Sequence, residues 1–219
     1  MPKETFKNIP EAKRQKFLNE AALLFAGKGY AGADMGELAR RAGVSKGSIY
    51  NYFESKEDLF LYVCSFNLEL SRQAIYGTMD PDWDIYRQIE HIFESGARFI
   101  GDHPEFMVIY LSMSAPGMEQ FSRALARETE KFTSDHLKRE LAKGIAAGVV
   151  RADLDIKLTA FIVNGLYILF LSSLMSAYFQ IRMSEYMEIE GAITPETTRE
   201  FLQKTVDHIH KLLRPPAVK

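Results

Sequence analysis

The sequence has almost no cysteine, no local catalytic motif and no strand-like patterning, and each scarcity excludes something. Its single cysteine, Cys64, can complete neither an intramolecular disulfide nor a cysteine-rich zinc site, which excludes a secreted disulfide scaffold and a zinc finger and favours a reducing cytoplasm. No apolar run follows the basic residues Lys3, Lys7, Lys13, Arg14 and Lys16, so a signal peptide is not expected. The patterns G-x-S-x-G, H-E-x-x-H and the Walker sequence are absent, and the chain is not expected to be an enzyme. His91 and Glu94 stand three residues apart and His208 and His210 fall on different helix faces, so no ligand set forms and neither metal nor cofactor is expected.

What is there is an ordinary folded composition. The 219 residues are 47% hydrophobic and 26% charged, enough for one large or two small domains. The net charge of −2 hides an asymmetry: residues 1–60 hold ten Lys/Arg against eight Asp/Glu, whereas 61–219 hold 17 against 21. The basic charge therefore sits in the N-terminal quarter, which hints at a polyanionic partner there. Apolar residues recur at spacings of three and four nearly throughout and never alternate for a strand's length, which predicts an all-α fold.

A first helix is expected to start near Pro10, with Leu18, Ala21, Ala22 and Phe25 on one face, and to stop within Gly27 to Gly32. Two short helices follow, over 34–42 and 45–53, capped by Asp34 and Ser45 and joined by a tight turn at Gly43-Val44. Ser55 with Asp58 caps a longer fourth helix. The short pair has helix-turn-helix spacing. Ile49 and Phe53 face inward in its second member, which leaves Lys46, Gly47, Ser48, Tyr50, Asn51 and Tyr52 outside. Lys46 and Lys56 can neutralise phosphates, the tyrosine hydroxyls can bond phosphate oxygens, Asn51 can pair with an adenine edge, and Gly47 lets the backbone come close. The spacing alone also fits a structural hairpin with a solvated polar face.

Gly29-Tyr30, the run from Glu37 through Ala39, Gly43, Ser45, Lys46, Gly47, Ser48, Ile49, Tyr50, Asn51 and Tyr52 to Phe53, and then Ser55-Lys56-Glu57-Asp58-Leu59 together resemble the DNA-binding domain of the TetR family of transcriptional regulators. The resemblance covers residues 10–60 and implies phosphate contacts from Tyr50, Tyr52 and Lys56 and base contacts from Lys46, Gly47, Ser48 and Asn51. One stretch departs from it. Ala33-Asp34-Met35-Gly36 stands where the family carries hydroxyl residues, and Asp34 would repel a phosphate, so that contact is not transferred. Gly27-Lys28-Gly29-Tyr30-Ala31-Gly32 matches G-x-G-x-x-G but follows a helix rather than a strand, so it is no dinucleotide site.

The expected architecture is thus an N-terminal three-helix helix-turn-helix DNA-binding domain (1–60, with a linking helix to about 77) and a helical ligand-binding and dimerisation domain (78–219). In the latter, helices are expected over 83–101, 104–114, 118–143, 154–183 and 195–213. The stretch 158–181 has 17 apolar residues among 24 and no formal charge, which is long enough to span a membrane. Its interrupting Thr159, Asn164, Ser172, Ser173, Ser176 and Gln180 argue instead for a helix buried on both sides, with Gly165, Ser172 and Ser176 permitting close approach of another helix. No membrane association is expected. The segment around Gly144, Gly148, Arg151, Asp153 and Asp155 is similar to the turn before the family's penultimate helix, and the resemblance implies a homodimer through 154–183 and 195–213. Phe93, Tyr110 and Phe121 are candidate walls of a ligand pocket, with Asn164 and Tyr167 as polar groups within it, and a small hydrophobic or aromatic effector is the expected occupant. The chain is therefore expected to be a cytoplasmic, ligand-responsive repressor that binds a palindromic double-stranded DNA operator; an all-helical small-molecule carrier or enzyme with a structural hairpin is the alternative.

Overall fold

The computed structural model describes residues 1–216, through which run eleven α-helices: α1 (Glu4–Lys7), α2 (Glu11–Gly32), α3 (Met35–Ala42), α4 (Lys46–Tyr52), α5 (Lys56–Tyr76), α6 (Ile85–Asp102), α7 (Pro104–Ser112), α8 (Glu119–Ala146), α9 (Ile156–Met175), α10 (Ala177–Met187) and α11 (Pro195–Leu213). No strand occurs among the described residues. By its contacts the chain forms two compact units, Met1–Ser71 with His103–Arg127 and Arg72–Asp102 with Glu128–Lys219. Helix α7 and the start of α8 thus count with the N-terminal unit.

In the first unit, local chemistry fixes the short helices. The Asp34 carboxylate accepts the Glu37 N–H at 2.8 Å and caps α3, a bond whose removal typically costs about 1 kcal/mol. Glu37 does not reach back to complete a capping box; its carboxylate pairs with Arg41. Gly43 ends α3 at φ 69°, ψ 38°, a left-handed conformation that strains any side chain with a Cβ. The N–H of Val44 then bonds to the Ala39 carbonyl at 2.9 Å, and Ala39, 5% exposed, lets α3 and α4 cross closely. Gly29 takes φ 68° inside α2 and breaks it where the glycine-rich stretch predicts a stop. Leu18, Ala21, Phe25, Leu38, Ile49 and Phe60 belong to the common core, to which Ile109 and Phe121 are added from α7 and α8.

Helix α1 is absent from the sequence-based expectation. It brings Phe6, fully buried, against Phe53, Tyr52, Phe17 and Tyr62, with centroids 4.9 to 6.0 Å apart. Aromatic pairs at this spacing contribute beyond the area that they bury.

In the second unit, α6, α9 and α11 pack on one another around Ile89, Phe93, Val163, Phe170, Val206 and Ile209. The turn before α9 is built by polar bonds. Gly148 takes φ 71°, the Arg151 guanidinium bonds both oxygens of Asp153 at 2.6 Å, and Asp155 caps α9 by accepting the N–H groups of Lys157 and Leu158. The helix expected over 154–183 is two helices. Ser176 is extended (φ −101°, ψ 126°) and separates α9 from α10. The preceding Ser172 and Ser173 hydroxyls donate back to the carbonyls of Ile168 and Leu169, bonding that loosens a helix, and Gln180 donates to the carbonyl of Leu174 freed by the break. Of the small residues expected to form an approach stripe, Ser172 is buried within the chain and Gly165 is exposed.

Candidate nucleic-acid interface

Helix α4 presents the residue types expected of a groove reader. Ser45 caps it, its hydroxyl oxygen accepting the Ser48 N–H at 3.0 Å, and the two hydroxyls lie 2.8 Å apart. Beyond the cap, Lys46, Gly47 and Asn51 are exposed, Tyr50 is 45% exposed and Ser48 is half-buried. The inward face is Ile49, so the outward face is a continuous polar strip. The exposed Arg40 near the end of α3 adds charge beside it in sequence.

Two of the expected contacts differ from the expectation. Tyr52 is 8% exposed and does not lie on the outer surface: three residues after Ile49, it shares that residue's inward face, and its ring packs on Phe6 and Phe17. Lys56 is half-buried, with its ammonium 3.1 Å from the Ala31 carbonyl and 5.0 Å above the Tyr30 ring. It ties the start of α5 to the end of α2 as well as offering a positive charge. Burial, with the nearby Glu57 carboxylate, pushes the Tyr30 phenol up. Sequence reasoning also missed Lys3, Thr5 and Phe6, which bond to or pack against the end of α4; a lone aromatic amid charged residues was the available signal.

These helices match a known family of domains. Residues 17–63 fit the family model for bacterial regulatory proteins of the tetR family. The HTH-type transcriptional regulator YerO of Bacillus subtilis (strain 168) is 29% identical over 154 residues, which span 66% of this chain and 51% of that one. A TetR family transcriptional regulator from Chloroflexus aurantiacus J-10-FL superposes over 99% of this chain and 100% of its own, with a TM-score of 0.71 at 23% identity. The N-terminal helices are thus of the tetR type. The relatives that it matches are transcriptional regulators, not enzymes. The fold is shared as well with AibR, solved in complex with isovaleryl coenzyme A and operator DNA (18% identity, TM-score 0.65, covering 93% of this chain and 99% of that one).

The five residues expected around a ligand divide between the two units. Phe93, Asn164 and Tyr167 come together in the second, where with Tyr76, Ile89 and Thr133 they line a small, partly open cavity of about 10 Å³, room for one water at most. The Phe93 ring meets Tyr167 edge-on at 5.3 Å, and Asn164 donates to the Glu130 carboxylate at 3.4 Å. Tyr167 fits because residue 96 is glycine: a Cβ there would lie 2.2 Å from the phenol oxygen. Burial pushes the Tyr76 phenol up, a shift that its bond to Thr133 and the charge of Arg72 oppose. Tyr110 and Phe121 do not line this cavity. Tyr110 stacks on Phe106, and Phe121 is a core residue against Tyr30 and Phe60, because α7 and the start of α8 pack in the first unit. A larger concavity of about 950 Å³, open to solvent, lies where Ile100, Leu174, Gln180, Ile181 and Thr194 meet, and it includes none of the five.

Proposed function

We propose that this chain is a TetR-family regulator: a cytoplasmic repressor that binds a palindromic operator as a homodimer and releases it when a small hydrophobic or aromatic effector binds. Residues 1–60 would read the DNA, and 78–219 would hold the effector and the dimer contact. The observation that carries the reading is the solvent-facing strip on α4. Lys46, Gly47, Ser48 and Asn51 are assigned to base edges and Tyr50 to a phosphate, while Lys56 contributes its charge from a fixed position at the start of α5. Tyr52 is left with a phosphate contact only through the 8% of its surface that reaches solvent.

The dimer assignment rests on a second observation. Leu158, Phe161 and Ile162 on α9, at 55%, 75% and 40% exposure, form an i, i+3, i+4 apolar stripe continued by the exposed Gly165. On α10, Tyr178, Ile181 and Tyr186 are 64% to 75% exposed. Exposed apolar surface of this extent on adjoining helices marks an interface. Helix α9 alone, among the described residues, has the length and composition of a membrane span, but its opposite face, with Ala160, Val163, Phe170 and Leu171, is core. The apolar face of α11 is spent largely inside the unit, since Val206, Ile209 and Leu213 are buried, which leaves the half-exposed Phe201 and Leu202 and the exposed Leu212 for a partner.

For the effector, Phe93, Tyr167 and Asn164 offer aromatic walls and one amide, and no unpaired charge faces the cavity, which favours an uncharged apolar group. AibR's complex with an acyl-coenzyme A is in keeping with an apolar moiety as the recognised part. Selection of bound sequences from a random double-stranded DNA library, with and without a panel of hydrophobic ligands, tests the whole reading. A palindromic consensus whose recovery one ligand abolishes is the expected result. A folded dimer that enriches nothing at low salt would return the hairpin to a structural role and favour a carrier.

A further inference from the structure

We infer that residues 3–6 are a positioning clamp that sets the orientation of α4 on DNA; the inference rests on the DNA-binding reading above. Helix α4 has seven residues, and its sequence, with Gly47, the β-branched Ile49 and two tyrosines, is a poor intrinsic helix former. Two turns alone do not hold their shape in water, so neighbouring contacts decide its conformation. The last carbonyls of any helix lack intrahelical donors. In α4 the Ile49 carbonyl takes the Phe53 N–H at 2.9 Å, and the next three carbonyls are taken in order by one segment from outside the helix. The Lys3 ammonium donates to Tyr50 at 3.0 Å, the Thr5 hydroxyl to Asn51, and the Lys3 N–H to Tyr52 at 2.8 Å. Phe6, fully buried, locks the same end through the rings of Tyr52 and Phe53.

The consequence falls on the residues assigned to base reading. Thr5 holds the backbone of Asn51 itself, and Lys3 holds that of Tyr50, so the clamp fixes the direction in which both side chains leave the helix. Thr5 does not need to touch DNA for this. A positioning group of that kind contributes to discrimination between sequences, because base-edge bonds require alignment that phosphate contacts tolerate losing.

The test uses the full chain, the operator recovered by selection and a scrambled duplex of equal length, with titrations at several salt concentrations. Thr5→Val keeps the shape and removes the hydroxyl. It is expected to weaken operator binding about fivefold per half-site, the factor that one net hydrogen bond is worth, and so about 25-fold on a palindrome; scrambled-duplex binding changes by less than about twofold and the salt slope is unaltered. Thr5→Ser restores the operator affinity. Without DNA, amide exchange from Tyr50 to Phe53 speeds up in Thr5→Val by about fivefold. Equal losses on both duplexes, or wild-type exchange and affinity in Thr5→Val, overturn the clamp while the DNA-binding reading stands. A wild-type protein that prefers no sequence overturns the DNA-binding reading, and with it the clamp's part in recognition.

Discussion

Phe161 gives the sharpest single test of the dimer. It is 75% exposed, so its ring makes few contacts within its own chain and its removal leaves the fold intact. An aromatic side chain carries roughly 200 Å² of surface, and three quarters of that is about 150 Å² available to a partner. A two-fold axis applies every substitution twice. At about 25 cal/mol per Å², complete cover of both rings contributes up to about 8 kcal/mol, and half cover about 4 kcal/mol, which is about a thousandfold in the dissociation constant of the dimer. Phe161→Ala should therefore convert a dimer at micromolar concentration into monomer, with an unchanged melting temperature for the monomer itself. Sedimentation equilibrium across a concentration series reads the first quantity and circular dichroism the second. Loss of operator binding should follow the dimer-to-monomer curve, because one recognition helix alone covers half a palindrome. An unchanged dissociation constant in Phe161→Ala would refute the assignment of α9 to the interface.

The remaining expectations concern DNA, effector and pH. Asn51→Ala should relax preference at one operator position, whereas Lys56→Ala should weaken all duplexes alike and reduce the salt slope; with about six phosphates neutralised per dimer, affinity should fall roughly a thousandfold between 50 and 200 mM salt, and identical behaviour of the two variants would undo their separate roles. Gly96→Ala drives a Cβ into the space of the Tyr167 phenol, so it should blunt the response to the effector by at least about tenfold while operator affinity stays the same; an undiminished response would move the effector site elsewhere. Burial, aided by Arg139, holds the His136 imidazole below its usual range and leaves one ring nitrogen without a partner. As pH falls below about 6.5, the unfolded chain takes up a proton that the folded one resists, so urea-unfolding stability should decline there, and His136→Gln should flatten that decline.

The parts of the fold that were legible in sequence are those set by neighbouring residues. Asp34, Gly43 and Ser45 act within four positions of themselves, and each does in the structure what its chemistry predicts. The bounds of α11, with Thr194 capping and Pro195 opening it, were equally local. What was not legible depends on partners distant in sequence. Phe6 finds its place only against residues 17, 52, 53 and 62, and no pattern within four residues announces that. Tyr52 could be read outward by residue type although its spacing from Ile49 pointed inward. The break at Ser176 interrupts a run that composition makes uniform, and the choice between core and cavity wall for Phe121 depends on which helix α8 meets.

The tightness of the space at Phe93, Asn164 and Tyr167 governs how such a sensor would be tuned. A site with about 10 Å³ of room admits an effector only from a rarer, expanded arrangement of the same side chains. The apparent affinity is then the intrinsic affinity scaled by the fraction of time spent expanded, so that a tenfold rarer opening raises the response threshold about tenfold with every ligand contact unchanged. Sensitivity becomes adjustable through the packing around Tyr167 and Gly96, independently of chemical selectivity. A population of such regulators could drift in threshold by single methyl groups while continuing to recognise the same molecule.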